Sequence, residues 1–376
     1  MDFEVKLCAL QDVVSSVFDA APQKMTSGLN AYVRITVDDA GLVHFHFVDT
    51  DLIIKTNIIV EKYTVGECSV DLGMLYRAIS AFKVDDDTIS TVKLLSQSIS
   101  IKNKSTGTGD KLINHRRVIP LFDAPAAGFS DVNNNEPFKI KSGFILEGLK
   151  KIAVSLTPYV DKNSLSGVLV DSIDGVIRFV SMNVVSLTEY KIKASGCSNF
   201  RCVLPGKVVS KIIKVLSKLN YNDQIEVLFS KDGSSITINA GLFLISFPLS
   251  KEEFRDYSKL MKDYKNCATI EADTFVENIR NLSFALNKDD QFRVSLAMLN
   301  GEMTLSVNES ENSGIEVAGF NEEFHIDFNA FLLEAVLKNI PTDHFNLHFK
   351  SNSNPVLITN TGTEDYTISS ILAPLQ

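Results

Sequence analysis

The sequence predicts an α+β fold with three similar domains, each containing two copies of one structural repeat. The repeat is a strand, an amphipathic helix and about three further strands, and it recurs six times at intervals of roughly 57 to 70 residues. Two polar stretches, residues 123–137 and 250–266, divide the repeats into pairs. A length of 376 residues gives each such domain room for its own core. We therefore expect domains at residues 1–130, 131–257 and 258–376.

Each repeat begins with a short alternating strand that runs directly into a helix. Apolar residues three and four positions apart mark the helices, as Leu10, Val14 and Val17 do in the first repeat. Asp273 is the expected N-cap of the fifth helix, and Pro341 closes the sixth. The predicted helices cover residues 7–20, 72–83, 144–154, 206–218, 274–285 and 329–340.

The strands are predicted from apolar residues at every second position, bounded by turn residues such as the DDAG at 38–41. In chain order they cover residues 3–6, 31–37, 42–48, 52–60, 68–71, 89–94, 98–102, 113–121, 138–141, 166–171, 176–182, 186–193, 201–204, 224–229, 235–240, 242–248, 268–271, 292–298, 302–308, 314–320, 323–327, 345–350, 355–359 and 366–372. Short polar turns between them favour antiparallel pairing and hence an α+β class.

Composition limits the possible functions. Apolar residues make up 45% and charged residues 22%, which indicates globular material. The net charge of −9 should repel nucleic acid, so any such contact requires a local basic surface. Five scattered cysteines without a C-x-x-C pair indicate a reducing compartment. Without an apolar run of about 18 residues or a secretory amino terminus, we expect a cytoplasmic protein and no membrane contact.

The fourth predicted helix carries an unusual charge pattern. It reads GKVVSKIIKVLSK, and at 100° per residue its four lysines fall within about 60° of one another, opposite an apolar side. These are Lys207, Lys211, Lys214 and Lys218. Like charges at i,i+4 repel by about 0.2–0.5 kcal/mol, and the next acid along the chain is Asp223. The pattern fits either a solvated helix face or a surface that meets a polyanion.

Signals for catalysis are weak. His44 and His46 share a face of one predicted strand, and His344 and His348 lie on another, but neither pair has a third ligand close by. The GTGDK at 107–111 lacks the G-x4-G-K-[ST] spacing that cradles phosphates. No nucleophile, base and orienting group stand at a spacing that predicts a catalytic set. We therefore expect no enzyme, metal or cofactor.

Several stretches resemble the bacterial DNA polymerase sliding clamp, the β subunit of the replicative polymerase holoenzyme. Residues 326–337 (IDFNAFLLEAVL) are similar to that family's third-domain stretch, where a strand runs through Phe-Asn into a Tyr-Leu-x-Asp-x-Leu helix. Residues 254–257 (FRDY) resemble its Phe-Pro-Asp-Tyr segment, and residues 203–205 (VLP) resemble its second-domain Val-Pro-Arg-Lys start. The opening MDFEVK also resembles the family's amino terminus. These short patterns follow the family's order and spacing over the whole chain.

The chain departs from the family at three places that help form its groove for partner peptides. The family's Thr-Asp-Gly-His-Arg-Leu segment is MNVVSL at 182–187, where only Leu187 is retained. The proline of Phe-Pro-Asp-Tyr is Arg255, and the Met-Pro-Met-Arg-Leu ending is replaced by ILAPLQ at 371–376. Such changes are typical of a divergent clamp, for example one encoded by a phage or another mobile element.

The resemblance implies that two chains form a ring of six domains, with helices lining the hole. Such a homodimer encircles double-stranded DNA without reading its sequence and tethers the replicative polymerase. The implied DNA-binding residues are basic and lie on the helices or just after them: Lys24, Arg77, Lys150, Lys151, Lys162, Lys207, Lys211, Lys214, Lys218, Arg280 and Lys338.

The resemblance also implies a groove that receives short peptides from a DNA polymerase and a clamp loader. The implied positions are Met182, Leu187, Arg255, Leu260 and Ile371. The alternative for Leu187 and Leu260 is a place in the core. For the whole chain, the altered groove and the acidic net charge leave open a clamp-like protein-binding scaffold that no longer encircles DNA. A hydrolase would require a catalytic cluster that the sequence does not offer.

Overall fold

The structure is a computed structural model, and it describes twelve stretches of the chain. They are residues 1–20, 31–48, 51–82, 88–106, 112–123, 138–156, 167–194, 197–230, 233–308, 310–320, 323–363 and 365–375. Of the predicted features, Lys24, Lys162, the 107–111 loop and most of the 123–137 stretch lie outside these residues.

Within the described stretches, six α-helices occupy the predicted places. They are α1 (Leu7–Ala20), α2 (Leu72–Ser80), α3 (Ser142–Ile152), α4 (Gly206–Leu216), α5 (Ala272–Asn281) and α6 (Ala330–Lys338). The expected N-cap at Asp273 is wrong, because the strand before α5 leads into the helix two residues earlier and Glu271 occupies the cap position. Elsewhere side chains do cap the helices: Asp71 accepts from the Met74 amide on α2, and Asn329 accepts from the Leu332 amide on α6.

The strands of the first three repeats are β1 (Asp2–Lys6), β2 (Tyr32–Val37), β3 (Leu42–Val48), β4 (Ile53–Ile59), β5 (Tyr63–Thr64), β6 (Gly66–Asp71), β7 (Ile89–Leu94), β8 (Ser98–Thr106), β9 (Leu112–Pro120), β10 (Phe138–Lys141), β11 (Gly167–Ile173), β12 (Val176–Met182) and β13 (Ser186–Lys193). Those of the last three are β14 (Phe200–Pro205), β15 (Gln224–Phe229), β16 (Ser235–Ala240), β17 (Phe243–Pro248), β18 (Asn266–Glu271), β19 (Arg293–Leu299), β20 (Glu302–Val307), β21 (Ser310–Ala318), β22 (Phe324–Asn329), β23 (His344–Phe349), β24 (Val356–Asn360) and β25 (Tyr366–Leu372). The sixfold recurrence of strand, helix and three strands is therefore confirmed.

Neighbouring repeats exchange their first strands. β1 pairs with β7 of the second repeat, and β6 pairs with β2 of the first. The same exchange joins β10 to β15 and β14 to β11 in the middle pair, and β18 to β23 and β22 to β19 in the last pair. The exchanged strands thereby interlock each pair of repeats within an α+β fold. All of these pairings are antiparallel.

The sheets also continue from one pair of repeats to the next. β4 pairs with β17 in an eight-stranded sheet, and β13 pairs with β25 in a twelve-stranded sheet. A further sheet has five strands, in the order β5-β1-β7-β8-β9. Because of these continuations, the chain forms two compact units: the first contains residues 1–146 and 208–249, and the second residues 147–207 and 250–376. The domain limits at 130 and 257 remain a prediction.

Each unit has its own aromatic core contacts between a helix and its neighbour. In the first unit Phe18 of α1 stacks on Tyr76 of α2, with ring centroids 3.9 Å apart. In the second unit Phe275 of α5 packs edge-to-face on Phe345 of β23, at 5.5 Å. Both contacts hold the helices in place against the neighbouring elements.

Candidate functional site

The α4 helix presents the predicted lysine face. Its apolar side is buried, as the chain pattern requires for a helix packed on a sheet. The buried residues are Val208, Val209, Ile212, Val215 and Leu216. On the opposite side Lys207 and Lys214 are exposed and Lys211 is half-buried. Lys218 follows the last turn, where the Ser217 amide still bonds to the Ile213 carbonyl.

An acid from a distant part of the sequence contacts this face. Lys218 Nζ lies 2.9 Å from Asp19 Oδ2 and 3.2 Å from Ser16 Oγ, both on α1 of the same unit. The order of residues along α4 contains no counter-charge, but the fold supplies one for this lysine. An exposed pair of this kind contributes about 0.2–1 kcal/mol, so Lys218 remains able to exchange partners.

Arg77 is the other predicted cation that the structure describes in the first unit. It is exposed near the end of α2, directly after Tyr76. Because the Tyr76 ring is stacked on α1, the turn that carries Arg77 is held firmly. A basic side chain in the last helical turn is also favoured by the helix dipole, so its presence there has a structural explanation as well.

In the second unit the end of α3 is tied to the end of α6. Lys151 Nζ donates to the Asn339 carbonyl, and Asn339 Nδ2 donates to the Lys151 carbonyl at 2.8 Å. Burial lowers the pKa of Lys151. Lys150 lies beside it and is exposed. Of these two predicted DNA-binding lysines, Lys151 therefore serves as a structural contact between helices, while Lys150 points its charge towards solvent.

Arg280 and Lys338 share one carboxylate. Arg280 Nε lies 2.8 Å from Glu334 Oε1, and Lys338 Nζ lies 2.6 Å from the same oxygen. The hydrogen bond from Lys338, then that from Arg280, lowers the pKa of Glu334, so the acid stays charged. The two cations and one anion carry a net charge of +1, so this site attracts phosphate more weakly than two separate cations would.

The predicted groove residues occupy one row of the twelve-stranded sheet. Met182 stands opposite Leu187, Leu187 opposite Ile371, and Ile371 opposite Leu357, across four adjacent strands. Leu187 and Ile371 are almost fully buried, whereas Met182 is half-buried. The structure therefore brings three of the five predicted positions together and also gives two of them a core role.

The segment after β17 covers this row. Its aromatic and sulfur side chains pack on the sheet and form an apolar cluster, defined by Leu169, Val180, Leu187, Phe254, Tyr257, Leu357 and Ile371, with Met182, Val203, Met261 and Tyr264 against it. Arg255 is exposed on the segment, and Leu260 is 42% exposed. The accessible part of the predicted groove is thus its edge, near Met182 and Leu260.

Sequence reasoning missed a charged network on the same face of the sheet. Arg178 binds Asp171 through two nitrogens, and Glu189 accepts a hydrogen bond from Tyr257 and forms an ion pair with Lys191. Both acids are buried. Burial and the bond to Glu189 raise the pKa of Tyr257, so its hydroxyl remains a donor. The available signal was the presence of charged residues at alternate positions of otherwise apolar strands.

Two of the histidines form hydrogen bonds with neighbouring side chains. His44 Nε2 lies 2.8 Å from Asp38 Oδ2, and His348 Nε2 lies 3.1 Å from Thr359 Oγ1. Burial, with the nearby Lys55, lowers the pKa of His46 to about 4. Within the described stretches, no three His, Cys, Asp or Glu side chains are grouped so that they could hold a metal ion. None of the helices described here is long and apolar enough to span a membrane.

The chain is similar to known proteins over most of its length. No protein-family model matches it. The "Beta sliding clamp" of Rickettsia felis is 25% identical over 354 residues, and that of Rickettsia bellii is 24% identical over 348; each match covers 87% of both chains. The solved DNA polymerase III subunit beta from Pseudomonas aeruginosa is 15% identical and superposes over 100% of both chains with a TM-score of 0.85.

The six interlocked repeats define the fold of a sliding clamp. In sequence the chain is similar to the two rickettsial beta sliding clamps over most of its length, and it shares the fold of the Pseudomonas aeruginosa protein.

Proposed function

We propose that this protein is a DNA sliding clamp, a processivity factor that encircles duplex DNA and tethers a replicative polymerase. The observation that carries the proposal is the lysine face of α4, displayed on the sliding-clamp fold. A protein with a net charge of −9 would gain little from scattered lysines, so four on one helix face are best explained by a local polyanion.

The mechanism that follows is topological and electrostatic. Lysines attract DNA phosphates whatever the base sequence, and their binding releases counterions from the DNA. They therefore favour DNA without fixing the protein at one position along it. Two chains closed into a ring would then keep the protein on the duplex while it moves along it. No bond is made or broken in this function, which requires neither catalytic residues nor a cofactor. A cytoplasmic location, where bacterial DNA lies, belongs to the same proposal.

Self-association is supported by exposed aromatic surface in the second unit. Phe284 is 79% exposed, and Phe331, which packs edge-to-face on Phe292 at 4.9 Å, is 50% exposed. Large aromatic side chains left in solvent are typical of protein interfaces. We assign these exposed aromatic side chains to the contact between two copies in a homodimeric ring.

Partner proteins would bind through short peptides at the edge of the apolar cluster. Met182, Leu187 and Ile371 form its floor, and Leu260 and Arg255 lie on the covering segment. The polymerase and the clamp loader are the proposed sources of these peptides. Since the sequence around residues 182–187 departs from the related clamps, the preferred peptide should differ too.

Retention on circular DNA tests the proposal. The protein is loaded onto a nicked circular plasmid with a bacterial clamp loader and separated from free protein by gel filtration. We expect it to stay with the circle and to leave when a restriction enzyme linearises the plasmid. Equal retention on circular and linearised plasmid would contradict the proposal that the protein encircles DNA, because binding to the DNA surface alone does not depend on free ends.

The second candidate is a clamp-like scaffold that binds proteins without encircling DNA. It is favoured by the cations of the second unit that bind groups of the protein itself. Glu334 forms ion pairs with Arg280 and Lys338, and the Asn339 carbonyl accepts a hydrogen bond from Lys151. The solution mass separates the two candidates. A dimer agrees with the ring, and a monomer at every concentration agrees with the scaffold.

A further inference from the structure

A pocket adjoins the apolar cluster in the second unit. It has a volume of about 500 Å³ and shares four of its walls with the cluster, namely Leu169, Phe254, Tyr257 and Met261. Pockets of this size hold ligands or peptide side chains in many proteins. The remaining walls are charged or polar: Arg178, Glu189, Lys191, Arg201, Arg255, Asp256, Ser258 and Lys262. We call this pocket the basic pocket.

The charges of the basic pocket favour an anion. Five basic side chains line it, against two carboxylates. The cations stand on three different strands and on the covering segment, so their charges converge from several sides. Arg201 and Lys262 are exposed at the rim, and Lys191 is half-buried. Convergent, partly desolvated cations bind a carboxylate more strongly than isolated surface cations do.

The acids at the floor do not cancel this preference. Asp171 is held by Arg178, and Arg201 lies 3.9 Å away from it. Glu189 accepts from the Tyr257 hydroxyl and forms an ion pair with Lys191. The two buried carboxylates therefore orient the cations above them, and counting Asp171 with the lining groups the pocket has five positive and three negative charges, a net of +2.

We propose that the basic pocket binds an acidic side chain of a partner peptide whose apolar residues lie on the neighbouring edge of the apolar cluster. The inference rests on the proposed function of the cluster as a partner groove. Leu187, Glu189 and Lys191 alternate along β13 and share one face of the sheet, so the groove and the pocket are separated by about 7–13 Å. An extended peptide covers this distance with two to four residues.

The probes are synthetic octapeptides with blocked ends, one Leu-Phe pair and a single Glu placed two, three or four residues before or after the pair. A matched set carries Gln in place of Glu. Binding to the full-length protein is measured by fluorescence polarisation at low and high salt. We expect the best Glu peptide to bind about five- to tenfold more tightly than its Gln counterpart, and the advantage to shrink in high salt.

Variants assign the advantage to the pocket. In the double variant Arg201→Gln with Lys262→Gln, the Glu peptide should bind as weakly as the Gln peptide, while the Gln peptide should be unaffected. Lys265→Gln is the control, because Lys265 is exposed near the same segment and does not line the pocket.

The outcomes separate the two proposals. If Glu and Gln peptides bind equally at every spacing, the basic pocket has no role in recognition, while the partner groove stands. If no peptide binds, the groove and the pocket inference are both wrong, and retention on circular DNA is still decided independently. An equal decrease of Glu-peptide affinity in Lys265→Gln would also overturn the inference, since general charge would then explain the effect.

Discussion

The two compact units carry comparable numbers of helical cations but hold them differently. In the first unit α4 keeps Lys214 exposed, and one acid, Asp19, reaches Lys218. In the second unit Glu334 binds both Arg280 and Lys338. The first arrangement keeps the charge of Lys214 at the surface, whereas in the second one carboxylate is shared by two cations. The number of basic residues on the helices alone would make the two units look equal.

The difference shows that charge available for phosphate binding depends on what the fold places beside each cation. Lys338 and Glu334 are four residues apart on one helix, whereas Arg280 arrives from α5. Lys218 lies just after α4, and its partner Asp19 on α1 is 199 residues away in sequence. The contribution of each unit to DNA binding can be tested by replacing the α4 lysines and, separately, the acids Asp19 and Glu334 that pair with cations.

The largest effect is expected from the α4 lysines. Replacing all four of Lys207, Lys211, Lys214 and Lys218 by Gln should lower the salt slope of DNA binding by about 0.9 for each phosphate that the protein no longer neutralises, up to about 3.6. Affinity for a short duplex should fall regardless of its sequence. The measurement is fluorescence anisotropy of labelled duplexes over a range of KCl concentrations.

A control with the same change in net charge replaces four exposed lysines outside the helices by Gln: Lys55, Lys193, Lys251 and Lys265. Its salt slope should stay near that of the unchanged protein. An unaltered salt slope in the α4 variant, or an equal drop in both variants, would show that the lysine face is an ordinary solvated surface that does not contact DNA.

A smaller effect of opposite sign is expected at Glu334. Glu334→Gln removes the carboxylate shared by Arg280 and Lys338 and so makes more positive charge available in the second unit. The salt slope should rise by about 0.9, which corresponds to one additional neutralised phosphate. Glu277→Gln on α5, which changes the same charge at an exposed position, serves as the comparison. No rise beyond that of the comparison variant would mean that these cations do not approach DNA.

The smallest effect is expected at Asp19. Asp19→Asn breaks an exposed ion pair and should cost at most about 1 kcal/mol of unfolding free energy. The DNA salt slope should rise by less than in Glu334→Gln, because Lys218 in an exposed pair already exchanges partners. Chemical denaturation and the same anisotropy titration measure both effects, with Asp12→Asn on the same helix as the control. A larger rise than in Glu334→Gln would reverse the proposed order of the two units.

Much of the fold could be predicted from periodicity. Helix α1 has the predicted limits, and α6 ends before Pro341, because the effect of proline on a helix is local. The exchange of first strands between repeats could not be predicted, since alternation shows that a segment is a strand but not which strand it pairs with. The same holds for the β4–β17 and β13–β25 pairings, which join different pairs of repeats.

The candidate sites were predicted less completely for the same reason. The lysine face of α4 is local and could be found by angle alone. The Lys218–Asp19 pair and the shared Glu334 depend on contacts between helices, which sequence spacing does not encode. The basic pocket draws Arg178, Lys191 and Arg201 from three strands, and each looks like an ordinary polar position in its own strand.

The continuous pairing of β13 with β25 has a mechanical consequence. Seven residue pairs, from Ser186 with Leu372 to Ile192 with Tyr366, bridge the predicted boundary at residue 257. Two segments joined by paired strands resist bending and shear far better than two segments joined only by a flexible linker. Under mechanical load, the second unit should therefore behave as one stiff body. Any opening motion of an assembled clamp must then occur outside the β13–β25 pairing.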